Sequence, residues 1–258
     1  MKNELFVTAG EVAQELGVSK PFAYKLVRQM NEELEEKGFI TIAGRVSRKY
    51  YEEKFYVDNW FQRSAGKHKM PEYCELIEKV RNQKYPVKIK FGLEICYFKE
   101  DETFIGEMTK DQGFDFLLGS IHFVDRFAFD HKPEHWIGID VDTIYRRYFE
   151  DSISLAKSKL FDGIGHPDAI KLFGHRPSFS LLGYYESLAK ELSNSNMYAD
   201  QNSGVARRCS KTSCLGMDKD LLHILKKKNI KIITSSDAHS PEDVGDKIRE
   251  LEICVANA

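Results

Sequence analysis

Five residues in the rear two-thirds of the chain carry side chains that bind transition metals: Glu94 in FGLEICYF, His122 in GSIHF, His166 in GIGHPD, and Asp237 with His239 in SSDAH. Mixed carboxylate oxygens and imidazole nitrogens suit Mn²⁺, Zn²⁺ or Fe²⁺, whereas Ca²⁺ prefers oxygen alone. Each occurrence is weak by itself, because a single His beyond a strand is more often a hydrogen-bonded core residue. Asp-x-His says more, since one strand end then offers an oxygen and a nitrogen to the same point. Other polar residues have plainer readings. His131 and His135 lie four apart, but Pro133 between them spoils a helix and favours a solvent-exposed loop. His68, His175 and His223 have no supporting neighbours, and Cys209 and Cys214 lack partner ligands.

The elements around these residues alternate. Apolar periodicity predicts a helix around Pro71 to Tyr85, strands Val87 to Phe98 and Phe114 to Phe123, a helix Val141 to Leu160 and a strand near Asp162 to Gly165. A helix Pro177 to Leu192, a strand Asn196 to Gln201, a helix Asp218 to Lys228, a strand Ile230 to Thr234 and an apolar run Leu251 to Val255 follow. This is the pattern of an α/β fold with a parallel sheet, open or closed. All five candidate ligands stand at or just past predicted strand ends. A barrel gathers those ends into one mouth, so residues distant in sequence converge there.

Taken together, Gly92-Leu93-Glu94, Gly119 to His122, Ile164 to Asp168 and Ser236 to Gly245 resemble, in order and spacing, the polymerase and histidinol phosphatase (PHP) superfamily, most closely its histidinol-phosphatase branch. The resemblance covers residues 69–258. It implies a distorted (β/α)₇ barrel holding two or three divalent metals (Mn, Zn or Fe) and hydrolysing a small phosphate monoester such as L-histidinol phosphate in histidine biosynthesis. By that carry-over Glu94, His122, His166, Asp237 and His239 are metal ligands, with Asp237 and His239 serving catalysis. Arg207, after Asn202-Ser203-Gly204, falls where the family places a phosphate-binding basic residue. Cys96 stands where the family often has an acidic one.

Members of that family open with a strand carrying His-x-His and further ligands, and no His-x-His occurs in this sequence. The expected fold is therefore an N-terminally incomplete barrel, preceded by a small, mainly helical module, and the expected activity is impaired. Three accounts are compatible with this. One is an enzyme whose reduced ligand set still holds one or two metals, another a DNA-binding regulator with a degenerate PHP body, and the third an accidental fusion of two gene fragments.

The front module has its own logic. Thr8 to Glu11 forms a capping box, Gly17 ends the first helix, Ser19 caps a second with Pro21 in its first turn, and Gly38 precedes an alternating Phe39 to Ile42 predicted as a strand. Residues 11–28, EVAQELGVSKPFAYKLVR, resemble the helix-turn-helix of phage and mobile-element excisionases, over residues 4–56 in all. Lys20, Tyr24, Lys25 and Arg28 share the outer face of the second helix, and Arg45 stands in a basic turn positioned like a wing; these are the candidate duplex-DNA contacts. The reading divides the chain into 1–60, a winged-type DNA-binding domain, 61–69, a polar linker, and 70–258, the PHP-type domain.

With 38 basic against 40 acidic residues, the net charge of −2 excludes a chain that is basic from end to end. Five cysteines without a Cys-x-x-Cys pair, and no long apolar run, predict a cytoplasmic protein with reduced thiols and no membrane partner.

Overall fold

The computed structural model describes residues 5–16, 19–55, 70–125, 127–208 and 215–258. They fall into two compact units, Met1–Val87 and Lys88–Ala258. The expected linker at 61–69, like Gly17 and Val18, lies outside the described residues.

In the front unit, strand β1 (Phe6–Thr8) leads into helix α1 (Ala9–Leu16), followed by α2 (Lys20–Glu36), β2 (Arg45–Ser47), α3 (Arg48–Phe55) and α4 (Met70–Arg81). The capping box is formed: the Thr8 amide donates to Glu11 Oε2 at 2.8 Å and the Glu11 amide to Thr8 Oγ1 at 3.2 Å. Ser19 caps α2 through the Phe22 amide at 3.4 Å. Val7, Val12, Ala23, Val27, Met30, Val46 and Tyr51 close a core of their own.

The run Phe39 to Ile42 is not a strand, contrary to its alternation. Asn31, buried in α2, donates to the carbonyls of Ile42 (3.0 Å) and Arg45 (2.9 Å) and fixes a turn there. Pairing therefore starts three residues later, where Arg45–Ser47 runs antiparallel to Phe6–Thr8. Ile40 is left 98% exposed.

The rear unit is α/β. Strands β3 (Gly92–Cys96), β4 (Phe116–Ser120), β7 (Gly163–Ile164), β8 (Tyr198–Asn202) and β9 (Ile232–Ser235) form one parallel sheet in that order. Helix α5 (Glu102–Thr109), which the periodicity did not predict, connects β3 to β4, and a hairpin of β5 (Phe123–Val124) and β6 (Phe127–Ala128) follows. Helices α6 (Val141–Ser158), α7 (Leu182–Asn194), α8 (Gly204–Arg208), α9 (Lys219–Lys227) and α10 (Ile248–Asn257) complete the order. Asp140 and Asp218 cap α6 and α9 by accepting from amides two residues on. Helix α7 starts five residues later than the apolar pattern predicts, because Asp142 takes the amide and hydroxyl of Ser178 (2.7 and 2.5 Å) and ties that segment down outside the helix.

One face of the sheet is dry. Tyr145, Tyr148, Phe149 and Leu155 of α6, Leu188 and Leu192 of α7 and Leu221 and Leu225 of α9 pack with Ile164 and Ala199. Among the described residues the sheet does not close, and β3 and β9 are its edges. Glu94, Leu118, Asp200, Ile233 and Ser235 line a cavity of about 860 Å³ on the other face.

Candidate metal centre

Side chains alternate across a strand, so Leu118, Ser120 and, just past the strand end, His122 share one side of β4. Glu94 comes from β3 beside it, in register with Leu118. His166 follows β7, which pairs with the other edge of β4. Parallel order thus brings three ligands from 72 residues of sequence to one point.

The donor atoms of Glu94, His122 and His166 lie within 4.8 Å of one another. Glu94 Oε1 is 3.0 Å from His166 Nε2 and 3.5 Å from His122 Nε2, and it accepts from the Ser120 hydroxyl at 2.5 Å. The two rings meet edge to face, with centroids 4.9 Å apart. Gly165 is required for this approach: a Cβ there would overlap the Ser120 hydroxyl and stand 3.4 Å from Glu94 Oε1. His166 and Asp237 both adopt left-handed backbone, φ 29° and 48°, a strained conformation of the kind that clusters at functional sites.

Electrostatics follow from this geometry. Burial disfavours the Glu94 carboxylate, yet hydrogen bonds from His122 and His166 outweigh it and hold its pKa well below the carboxylate range. Burial also opposes charge on His122, but Asp130 and Glu94 raise it to about 9. Nearby Asp200 is pushed up, mainly by burial. Burial raises the Cys96 thiol to about 12.

Asp237 and His239 stand outside the three-residue cluster. Asp237 packs against Gly204, where a Cβ would overlap its carboxylate, and its charge reaches His166. The side chain of His239 is 72% exposed, with Nδ1 2.9 Å from the carbonyl of Asp237. Arg207 is tied to the same loop: it donates to the carbonyls of Ser236 (2.8 Å) and Asp237 (2.6 Å) and meets Asp243 and Asp246 at 3.4 and 3.5 Å.

Sequence reasoning missed Ser120 and Asp130. Ser120 was discoverable, two residues before His122 on a strand. Asp130 was not, because the β5–β6 hairpin that returns it to His122 has no clear signal in its short strands. The segment around His131 is also less exposed than Pro133 suggests. His131 is 14% exposed and its ring packs on Phe123, while Trp136 is buried, donates to the Phe129 carbonyl at 2.8 Å and stacks on His175. Burying Trp136 folds the loop onto the body. His223 sits exposed on α9. His68, Cys209 and Cys214 lie outside the described residues.

In the front unit Lys20, Tyr24, Lys25 and Arg28 are exposed on α2, with Arg28 paired to Glu32 at 2.9 Å. Arg45 is half-buried on β2.

Fold and site define an α/β protein with a carboxylate-imidazole centre at the ends of parallel strands. Residues 27–204 match the PHP domain, more than half of the chain, and the chain belongs to that family. Its relatives include a probable histidinol-phosphatase of Deinococcus radiodurans, 27% identical over 190 residues, covering 70% of this chain and 71% of that one. Another, of Schizosaccharomyces pombe, is 24% identical over 173 residues, 62% of this chain and 56% of its own length. The ICEBs1 excisionase of Bacillus subtilis is 40% identical over 53 residues, 20% of this chain and 81% of the excisionase. Two solved structures share the fold at 17% identity. Histidinol phosphate phosphatase from Lactococcus lactis, complexed with zinc, L-histidinol and phosphate, has a TM-score of 0.57 and covers 73% of each chain. The putative histidinol phosphatase of Listeria monocytogenes has a TM-score of 0.63, covering 70% of this chain and 75% of that one.

Proposed function

We propose that this chain is a metal-dependent phosphomonoesterase of the histidinol-phosphatase type, acting on L-histidinol phosphate with reduced turnover. The observation that carries the reading is the convergence of Glu94, His122 and His166 within 4.8 Å in a PHP-family chain. The naming of both phosphatase relatives supports the substrate, as does the ligand set of the Lactococcus structure.

The residues fit a divalent transition metal. One carboxylate and two imidazoles are a common donor set for zinc, and the buried His166 Nδ1 lacks a hydrogen-bond partner among the described residues. When bound, such an ion supplies Lewis-acid chemistry, neutralising phosphoryl charge and acidifying water. Glu94, His122 and His166 would hold it, with Ser120 orienting Glu94, and by the family resemblance Asp237 and His239 would add ligands from the neighbouring loop. Arg207 is the phosphate contact that the family resemblance offers.

Zinc content of the purified chain and phosphate release from L-histidinol phosphate test the reading together. The expected result is bound zinc and slow turnover, both lost in Glu94→Gln. A native chain without metal, or one whose turnover survives that substitution, overturns it.

A second reading concerns the front unit alone. The excisionase match and the exposed Lys20, Tyr24, Lys25 and Arg28 favour binding of duplex DNA through the first half of α2, with Arg45 adding a wing contact. Gel shifts should show binding that falls steeply with salt, as counterion release requires. Binding unchanged in the Lys25→Ala, Arg28→Ala double variant removes this reading.

A further inference from the structure

We propose that Asp130 is a positioning residue that fixes the His122 ring, an inference that rests on the metal-site reading above. Its Oδ2 lies 2.8 Å from His122 Nδ1, and the residue is only 5% exposed. With Nδ1–H donated to Asp130, the opposite nitrogen, Nε2, faces Glu94 Oε1. That is the nitrogen a shared ion needs, and a hydrogen bond at the far side of the ring makes it a stronger donor.

The surroundings argue for a purpose beyond packing. A buried carboxylate is costly unless it is paired, and an apolar residue of similar size would fill the same space. Asp130 is held in place instead. Arg208 donates to its carbonyl at 2.7 Å and stands 3.7 Å from Oδ2, while His131 Nε2 is 3.9 Å from Oδ1. Among the described residues Oδ1 has no hydrogen-bond partner, so the carboxylate's one short bond goes to His122. The turn after the β5–β6 hairpin thus supplies a partner to a centre whose three clustered donors stand on β3 and just past β4 and β7.

Two measurements on the full chain test this. Zinc affinity is measured by competition with a chromophoric chelator for the native chain, Asp130→Asn and Asp130→Ala. Both variants should bind about 10 to 100-fold more weakly, the usual cost of losing such a partner. Proton NMR with ¹⁵N-labelled histidine should show a downfield, slowly exchanging Nδ1–H of His122 in the native chain, with or without zinc, that disappears in Asp130→Ala. Variant affinities within about twofold of native, well short of that usual cost, or no such proton in the native chain, overturn the proposal. If the native chain binds no zinc, the metal reading fails separately and the proton resonance alone decides. Should the variants not fold, the presence or absence of that resonance in the native chain still supports or overturns the proposal.

Discussion

Arg207 and Arg208 are neighbours that the structure sends in different directions, one to the loop of Asp237 and the other to Asp130. The Arg207 guanidinium donates to two separate carbonyls, which a lysine ammonium reproduces poorly. If its main work is anchoring that loop, Arg207→Ala should lower stability by about 1.5–3 kcal/mol, the range for a charged hydrogen bond, and Arg207→Lys should rescue little. A phosphate contact predicts instead a raised KM with unchanged melting. Thermal melts beside steady-state kinetics separate the two. Residues of this kind also mark how far the sequence could be read. His122 and His166 were legible because each stands at or just past the end of a predicted strand, and parallel order forces such ends together, whereas Glu94 is the central residue of β3 and joins them through its register with Leu118. The contacts of Asp130 and Arg208 were not legible, since they cross 8 and 78 residues through loops without periodicity.

At the level of elements, the Thr8 capping box and the Ser19 cap were the most readable features and form as their side chains dictate, and Asp140 and Asp218 start helices by the same chemistry without having been read as caps. Apolar alternation misled at Phe39 to Ile42, where the tertiary bonds from Asn31 decided the turn. Between elements, Lys171 joins the turn after β7 to the start of α9. Its Nζ donates to Asp168 Oδ2 and the Gly216 carbonyl, both at 2.6 Å, and Asp168 also accepts from the Asp218 amide at 2.7 Å. Lys171→Met leaves Asp168 buried without its cation, and should cost about 3–5 kcal/mol in denaturant unfolding. On α6, Asp151 is raised from 3.8 to about 6, first by burial and then by Asp125, Glu150 and Glu100. The folded chain therefore binds this proton more readily than the unfolded one. Its contribution is full below the unfolded value and declines as pH rises through about 6. Asp151→Asn should raise the melting temperature at about pH 7.5 and leave it unchanged well below about pH 4, the unfolded carboxylate's range. Equal shifts at both pH values would count against this assignment.

For the whole molecule, the deciding feature is that, among the described residues, the rear sheet has five parallel strands in an open order. Among those residues β3 and β9 each pair on one side only, and both are half-exposed along their length. In a closed barrel those edges would be joined and the space beside Glu94, Asp200 and Ile233 filled, whereas here it remains a cavity of about 860 Å³. The edge matters for chemistry because Glu94 sits on β3 itself. A ligand on an edge strand is held from one side, by Ser120 and two imidazoles, and its side chain is 37% exposed. Hydrolysis of a phosphate monoester by clustered ions needs charge placed on both attacking and leaving oxygens, and three convergent donors with Asp237 and His239 in the neighbouring loop are a small set for that task. The expected outcome is phosphate release from L-histidinol phosphate at least about 10-fold slower than by the Deinococcus radiodurans relative under the same Mn²⁺ or Zn²⁺ concentration, the lower bound for a weakened metal site. Saturating metal should narrow the difference without removing it, since the open edge limits geometry as well as affinity. Turnover equal to the relative's would show that the five-stranded arrangement holds its ions as well as a fuller ligand set does.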